Sequence, residues 1–274
     1  AYTDEAYQKA GAKAGTAAAI LKGADILLCV GRPDEKTVKA LKKGATVIGT
    51  LGGFDFAKIA GPYKTAGLNV MSLDFVPRIT RAQSMDVLSS QANLAGYKAV
   101  LEATSHFPRA MPMMMTAAGT IPPAKVFVMG AGVAGLQAIA TARRLGAVVS
   151  ATDVRMAAKE QVESLGASFV MVEDEETKGA ETSGGYAKEM SKTYQKKQAK
   201  LIAETIAKQD IVITTALIPG RPAPELVSEE MVKSMPEGAV IVDLAAPNGG
   251  NCALTKPGQV VSAHGVTIIG HTDM

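Results

Sequence analysis

The sequence predicts an α/β protein of two lobes with parallel sheets, joined by a long helix. Three features predict it. Short β-branched runs alternate with helical stretches, the pattern of a parallel sheet covered on both faces. Ala124–Asp153 reads as strand, glycine turn, helix and strand in one unit. A stretch from Gln83 or Ser84 to about Phe107 reads as one long helix, with Leu88, Ala92, Ala95, Ala99 and Ala103 along one face. The lobes are placed at residues 1–90 and 91–274.

In the first lobe the strands are Asp25–Val30, Ala45–Gly49 and Leu68–Leu73, and the helices between them are Asp34–Lys43 and Asp55–Ala66. Phe75–Arg81 is a Pro-containing loop. The chain starts at Ala1 and is already helical over Tyr2–Lys13, and it stops at Met274 directly after a strand. The expectation is an N-terminally truncated first lobe with some apolar surface uncovered.

The second sheet begins at Lys125–Met129. Gly130, Gly132 and Gly135 follow as G-x-G-x-x-G, Val133–Leu145 has helical spacing, and Val148–Thr152 is a β-branched strand. Each glycine has a physical task. Gly130 allows the tight turn, Gly132 lets backbone approach a pyrophosphate, and Gly135 lets helix and strand pack closely. The helix N-terminus, with unpaired N–H groups and its dipole, favours that anion. Asp153, 23 residues after Gly130, would accept hydrogen bonds from ribose hydroxyls and repel a 2′-phosphate. The unit is a Rossmann-type fingerprint favouring NAD(H), although Arg155 just beyond the strand is a residue type that can serve a 2′-phosphate. Further strands are Phe169–Val172, Ile211–Thr215, Ala239–Leu244, Val260–Ser262 and Val266–Gly270. Helices are Lys192–Gln209 and Ser228–Ser234, with Ser228 as N-cap.

Composition narrows the classes. Hydrophobic residues make up 47% of the 274 and charged residues 20%, enough apolar material for real cores. A net charge of +3, well dispersed, gives no case for nucleic acid. The Lys192–Lys200 cluster reads as the solvated face of a helix. Cys29 and Cys252 lack CxxC spacing, and His106, His264 and His271 are scattered, so no metal site is expected. No apolar run is long enough to span a bilayer. Met111–Thr116 reads as core packing or a turn.

Two segments stay open on pattern alone. Residues 173–190 form a charged, Gly-rich and mobile loop, longer than a packed α/β domain needs. Its Tyr186, after Gly184 and Gly185, is either an ordinary exposed tyrosine or part of a lid over a nucleotide. Arg78, Gln83, Asp86 and Ser89 are either helix capping with an exposed arginine, or a polar cluster at the lobe boundary. In a helix starting near Gln83, the residues Gln83, Asp86 and Ser89 share one face.

Beyond these patterns, PRITRAQSMDVLSSQANLAGY, MTAAGTIPPAKVFVMGAGVAGLQAIATARRLGA, GGYAKEM, ITTALIPGRPAP and VDLAAPNGGN resemble the NAD(H)-binding component of proton-translocating NAD(P) transhydrogenases, relatives of alanine dehydrogenase. The resemblance covers nearly the whole chain. It implies two Rossmann-like lobes, NAD(H) in the cleft, a homodimer, NADP(H) on a partner domain, and a proton path in a separate membrane domain. It implies a soluble domain peripheral to the bacterial inner membrane on its cytoplasmic face, or on the matrix side in mitochondria. Carried over by position, Arg78, Gln83 and Asp86 orient the nicotinamide end with Ser89 beside them. Val133, Asp153, Val154 and Arg155 contact adenosine and pyrophosphate, Gly185 and Tyr186 form the loop tip, and Leu217 is a further contact. Alanine dehydrogenases, by the same register, carry a Lys, a His and an Asp where this chain has Cys29 or Gly31, Gly52, and Pro247 or Asn248. The expected reaction is therefore hydride transfer between nicotinamides. The alternatives are an alanine-dehydrogenase-like oxidoreductase and a non-catalytic NAD(H)-sensing module.

Overall fold

Runs of β-branched residues become the strands of two separate parallel sheets. The computed structural model describes residues 2–52, 56–77, 79–172, 191–218 and 220–274. The chain divides into two units, Ala1–Leu88 and Ser89–Met274.

The first unit opens with helices α1 (Asp4–Lys9) and α2 (Ala17–Gly23), capped by the hydroxyls of Thr3 and Thr16. Then come β1 (Ile26–Cys29), α3 (Glu35–Ala40), β2 (Thr46–Gly49), α4 (Phe56–Ile59), α5 (Gly61–Thr65) and β3 (Asn69–Ser72). The strands form a parallel sheet in the order β1-β2-β3. The helix expected over 55–66 is two helices, the second with Pro62 in its first turn, where the missing N–H has no intrahelical partner to lose. Val38, Leu41, Val47, Leu51 and Tyr63 fill the core. The expectation that both faces of this sheet are covered is corrected. Alternate residues of a strand point to opposite faces, and Leu28 and Met71, which flank Ile48 in register, are 73% and 59% exposed.

A 3₁₀ helix, Thr80–Met85, leads to Asp86 and then to α6 (Val87–His106). The expected single helix from Gln83 is thus corrected. Asp86, with φ −76° and ψ 83°, interrupts it, and Gln83, Asp86 and Ser89 do not share one helix face. Met111 is buried as expected, but Met114–Thr116 is a strand, β4, paired with β5 (Gly119–Ile121) in an antiparallel hairpin. Met113 and Met115 are exposed rather than core.

The second sheet comprises β6 (Lys125–Met129), β7 (Val148–Thr152), β8 (Ser168–Phe169), β9 (Ile211–Thr214), β10 (Val240–Asp243), β11 (Val260–Ala263) and β12 (Val266–Ile269). Its helices are α7 (Val133–Arg144), α8 (Ala158–Ser164), α9 (Lys192–Ile206) and α10 (Glu229–Ser234), the last capped by Ser228. Among the described residues the strand order is β11-β12-β10-β9-β6-β7-β8, parallel except for the edge strand β11. Every residue of β9 and β10 is buried. One core cluster holds Val126, Val128, Ile139 and Ile213, together with Ala99, Val100 and Ala103 of α6. The other holds Phe127, Met129, Ile206, Val212 and Ile241. From β6 the chain winds outward in one direction through β7 and β8, and in the other through β9 and β10. The reversal leaves a crevice at the carboxyl ends of β6 and β9, the place where such sheets bind ligands.

Candidate functional site

The site grows from the turn between β6 and α7. Gly130 has φ +105°, a conformation that favours glycine, and a Cβ there would stand 2.5 Å from Thr215 Oγ1. Gly135 brings α7 against the turn so closely that a Cβ would fall 1.8 Å from the Gly130 carbonyl oxygen. Gly132, the N-cap of α7, has no capping side chain, and no other residue lies within 4 Å of where its Cβ would be. The first turn of α7 therefore offers backbone N–H groups toward open space, with the dipole behind them. A pyrophosphate fits such a place.

Asp153 follows β7 and is almost wholly buried. Its Oδ2 accepts from Ala131 N–H at 2.8 Å and from Arg155 Nη2 at 3.0 Å. Its Oδ1 accepts from the Arg155 backbone N–H and Nε, each at 2.9 Å. These bonds match the roughly four acceptor sites of a carboxylate. Asp153 thus ties down the glycine turn and forms a two-pronged ion pair with Arg155, whose Nη2 also reaches the Ala131 carbonyl. By residue type these two compete over the choice of nucleotide; in the fold they are bonded to each other.

Val133, Val154 and Leu217, each directly after or near a strand's carboxyl end, are apolar yet 42%, 44% and 51% exposed. Gln83 is exposed and Asp86 half-buried at the end of the first unit, while Ser89 lies in the first turn of α6 in the second. Arg78, Gly185 and Tyr186 lie outside the described residues.

Residues that no sequence motif singles out complete the edge. Thr215 Oγ1 donates to the Gly130 carbonyl at 3.0 Å. Asn251 bonds both the N–H and the carbonyl of Ala216, and Asp243 lies buried beneath it. A polar residue closing the apolar run Val240–Val242, followed by Gly249 and Gly250, is the available sign. Gly96 of α6 meets the first turn of α7 directly, since a Cβ on it would stand 2.1 Å from the Ala134 carbonyl.

Burial pushes the Cys252 thiol up, and the nearby Asp243 charge adds to it; burial likewise raises Cys29. Both thiols stay protonated at neutral pH. Among the described residues no group of three or more His, Cys, Asp or Glu could hold a metal. An open depression of about 580 Å³, lined by Thr104, Arg109, Met111, Met114, Arg144 and Leu145, lies at the other end of α7 and contains none of the candidate residues.

Comparison with known proteins decides the family. The model of the alanine dehydrogenase/PNT N-terminal domain matches residues 1–95, and that of the C-terminal domain matches residues 99–274. The chain belongs to the alanine dehydrogenase/PNT family. It is 55% identical over 278 residues to a Rhodospirillum rubrum protein, the first of the parts that make up NAD(P) transhydrogenase subunit alpha, covering 99% of this chain and 72% of that protein. It is 50% identical over 274 residues to NAD(P) transhydrogenase subunit alpha of Cereibacter sphaeroides, covering 99% of this chain and 52% of that one. The solved transhydrogenase from Sinorhizobium meliloti superposes with a TM-score of 0.90 at 57% identity, over 99% of this chain and 73% of that one. This alanine dehydrogenase/PNT chain therefore spans from about half to about three quarters of the length of these relatives.

Proposed function

We propose that this chain binds NAD(H) at the carboxyl edge of its second sheet and is the NAD(H)-binding component of a proton-translocating transhydrogenase. The reaction is NADH + NADP⁺ ⇌ NAD⁺ + NADPH, with NADP(H) held on a partner domain. The observation that carries the reading is the uncapped start of α7 beside Gly132. When bound, the dihydronicotinamide supplies the hydride. The chain's part is to bind, orient and exclude water, because direct transfer needs alignment and no acid–base group. The first N–H groups of α7 hold the pyrophosphate, and Val133, Val154 and Leu217 flank the nucleotide. Arg78, Gln83, Asp86 and Ser89 orient the nicotinamide end, and Gly185 and Tyr186 contribute from their loop. Asp153 disfavours a 2′-phosphate. A ribose hydroxyl reaches its carboxylate by exchanging with one Arg155 donor.

Amino-acid oxidation is the weaker reading. Gly52 stands where the resemblance puts a histidine, has φ +77°, and is backed by Arg32, whose Nη2 lies 2.5 Å from a Cβ built there. The exposed hairpin residues Met114, Met115 and Ile121 support pairing with a second copy of the chain. No helix of the described residues is long and apolar enough to cross a membrane. The proton path accordingly belongs to a separate membrane domain, with this domain on its cytoplasmic or matrix side.

Calorimetry with NADH and NADPH, followed by stopped-flow mixing with an NADP(H)-loaded partner domain, tests the proposal. NADH should bind well and NADPH poorly, and transfer should require the partner. Equal affinity for both nucleotides, transfer by this chain alone, or alanine-dependent NADH formation would overturn it.

A further inference from the structure

Asp243 ends β10 with its carboxylate fully buried, which is unfavourable unless every acceptor is met. Five donors meet it. Oδ1 accepts from Thr214 Oγ1 at 2.9 Å and Ala245 N–H at 3.0 Å. Oδ2 accepts from Asn251 N–H at 2.8 Å, Cys252 N–H at 3.1 Å and Thr255 Oγ1 at 2.6 Å. Gly249 and Gly250, with φ +102° and +89°, turn the backbone so that the two N–H groups converge. A Cβ on Gly250 would stand 2.8 Å from Asp243 Oδ2, so the turn admits no side chain.

That turn delivers the side chain of Asn251 to the loop after β9. Its Oδ1 accepts from Ala216 N–H at 3.0 Å, and its Nδ2 donates to the Ala216 carbonyl at 2.9 Å and the Pro224 carbonyl at 2.7 Å. Ala216 is gripped at both polar groups. On one side of it Thr215 is bonded to the glycine turn, and on the other stands exposed Leu217. Asp243, Asn251, Ala216, Thr215 and Gly130 thus form a continuous polar chain linking the ends of β10, β9 and β6.

We propose that Asn251 is a positioning residue for hydride transfer, fixing the loop of Thr215 to Leu217 against the glycine turn; this rests on the dinucleotide reading above. Asn251 does not touch the nucleotide. It sets where Leu217 stands beside it, so its loss misaligns the ring while leaving the pyrophosphate cradle intact.

The test uses the chain in its natural full-length form with an NADP⁺-loaded partner domain. Asn251→Ala should lower the hydride-transfer rate about tenfold, as a sub-ångström misplacement does. The NADH dissociation constant should stay within about threefold of the parent, because the α7 contacts remain. Thermal melting checks that the variant folds. If Asn251→Ala does not fold, Thr215→Val removes the bond to Gly130 and is read by the same two numbers. A parental transfer rate in the folded variant, or affinity falling in step with rate, would overturn the proposal. A parent that binds no NADH would instead overturn the dinucleotide reading beneath it.

Discussion

β1 and β6 each lead through a left-handed glycine, Gly31 at φ +75° and Gly130 at φ +105°, toward a helix. The two helix starts then diverge. In α3 the carboxylate of Asp34 accepts from Thr37 N–H at 2.7 Å and caps the helix from within. In α7 the corresponding place is Gly132, and no side chain fills it. Around Gly31 there is room for a Cβ, whereas Gly135 touches backbone. The difference teaches that one local pattern serves either the fold or a ligand, according to which residue stands at the cap. A self-capped helix has satisfied its donors; a glycine-led one keeps them for an anion.

The largest expected effect tests the close contact. Gly135→Val should abolish NADH binding in calorimetry and lower stability to denaturant by about 1–3 kcal/mol, since backbone must move to admit the side chain. Gly31→Ala should cost only backbone strain of roughly 1–2 kcal/mol and leave NADH affinity unchanged. Parental NADH binding by Gly135→Val would break the comparison.

Next, Gly132→Asp gives α7 the cap that α3 has. Its backbone is extended there, at φ −78° and ψ −167°, so aspartate fits. Melting temperature should hold or rise while NADH affinity falls about a hundredfold, through like-charge repulsion of the pyrophosphate. A variant that binds NADH as the parent does would place the phosphates elsewhere. Asp153→Ala comes third. It frees Ala131 N–H and unpairs Arg155, and NADH binding measured by titration should weaken by ~1–3 kcal/mol.

The smallest effect belongs to Asp34. The hydroxyl and backbone N–H of Thr37 hold its carboxyl below the usual range. A carboxyl depressed on folding contributes stability that is fully present above the unfolded value, about pH 4. That contribution fades as pH falls through the depressed folded value. Asp34→Ala should therefore melt slightly below the parent at pH 7, with the gap closing in acid and NADH affinity untouched. A gap that widens in acid would show that Asp34 is not acting as a cap.

What is legible in the sequence is whatever is encoded within a few residues. Strand, turn and helix from Lys125 to Thr152 can be read because glycine spacing, apolar runs and helical periodicity all agree there, and the α/β class with parallel sheets follows. The kink at Asp86 is not legible, since alanine-rich helical spacing continues past it and only the backbone angles report the break. The β4–β5 hairpin is hidden because a methionine run shows no alternation between an inner and an outer face. The Asp243–Asn251 chain depends on contacts between residues up to 35 positions apart, and no local pattern carries those. Asp153 and Arg155 each stand out alone; their pairing depends on side-chain reach, which residue types do not specify.

The seat of Gly96 on Ala134 is contact of backbone with backbone, with no side-chain layer to yield. A helix held that way cannot roll or creep along its neighbour. A shift of one residue either way would drive the Cβ of Ala95 or Tyr97 into the carbonyl that Gly96 accommodates. Ser89 is two turns upstream on the same helix, about 10 Å along the axis and nearly in line with Gly96. Its height and azimuth are thereby indexed to the first turn of α7, like a graduation on a fixed ruler.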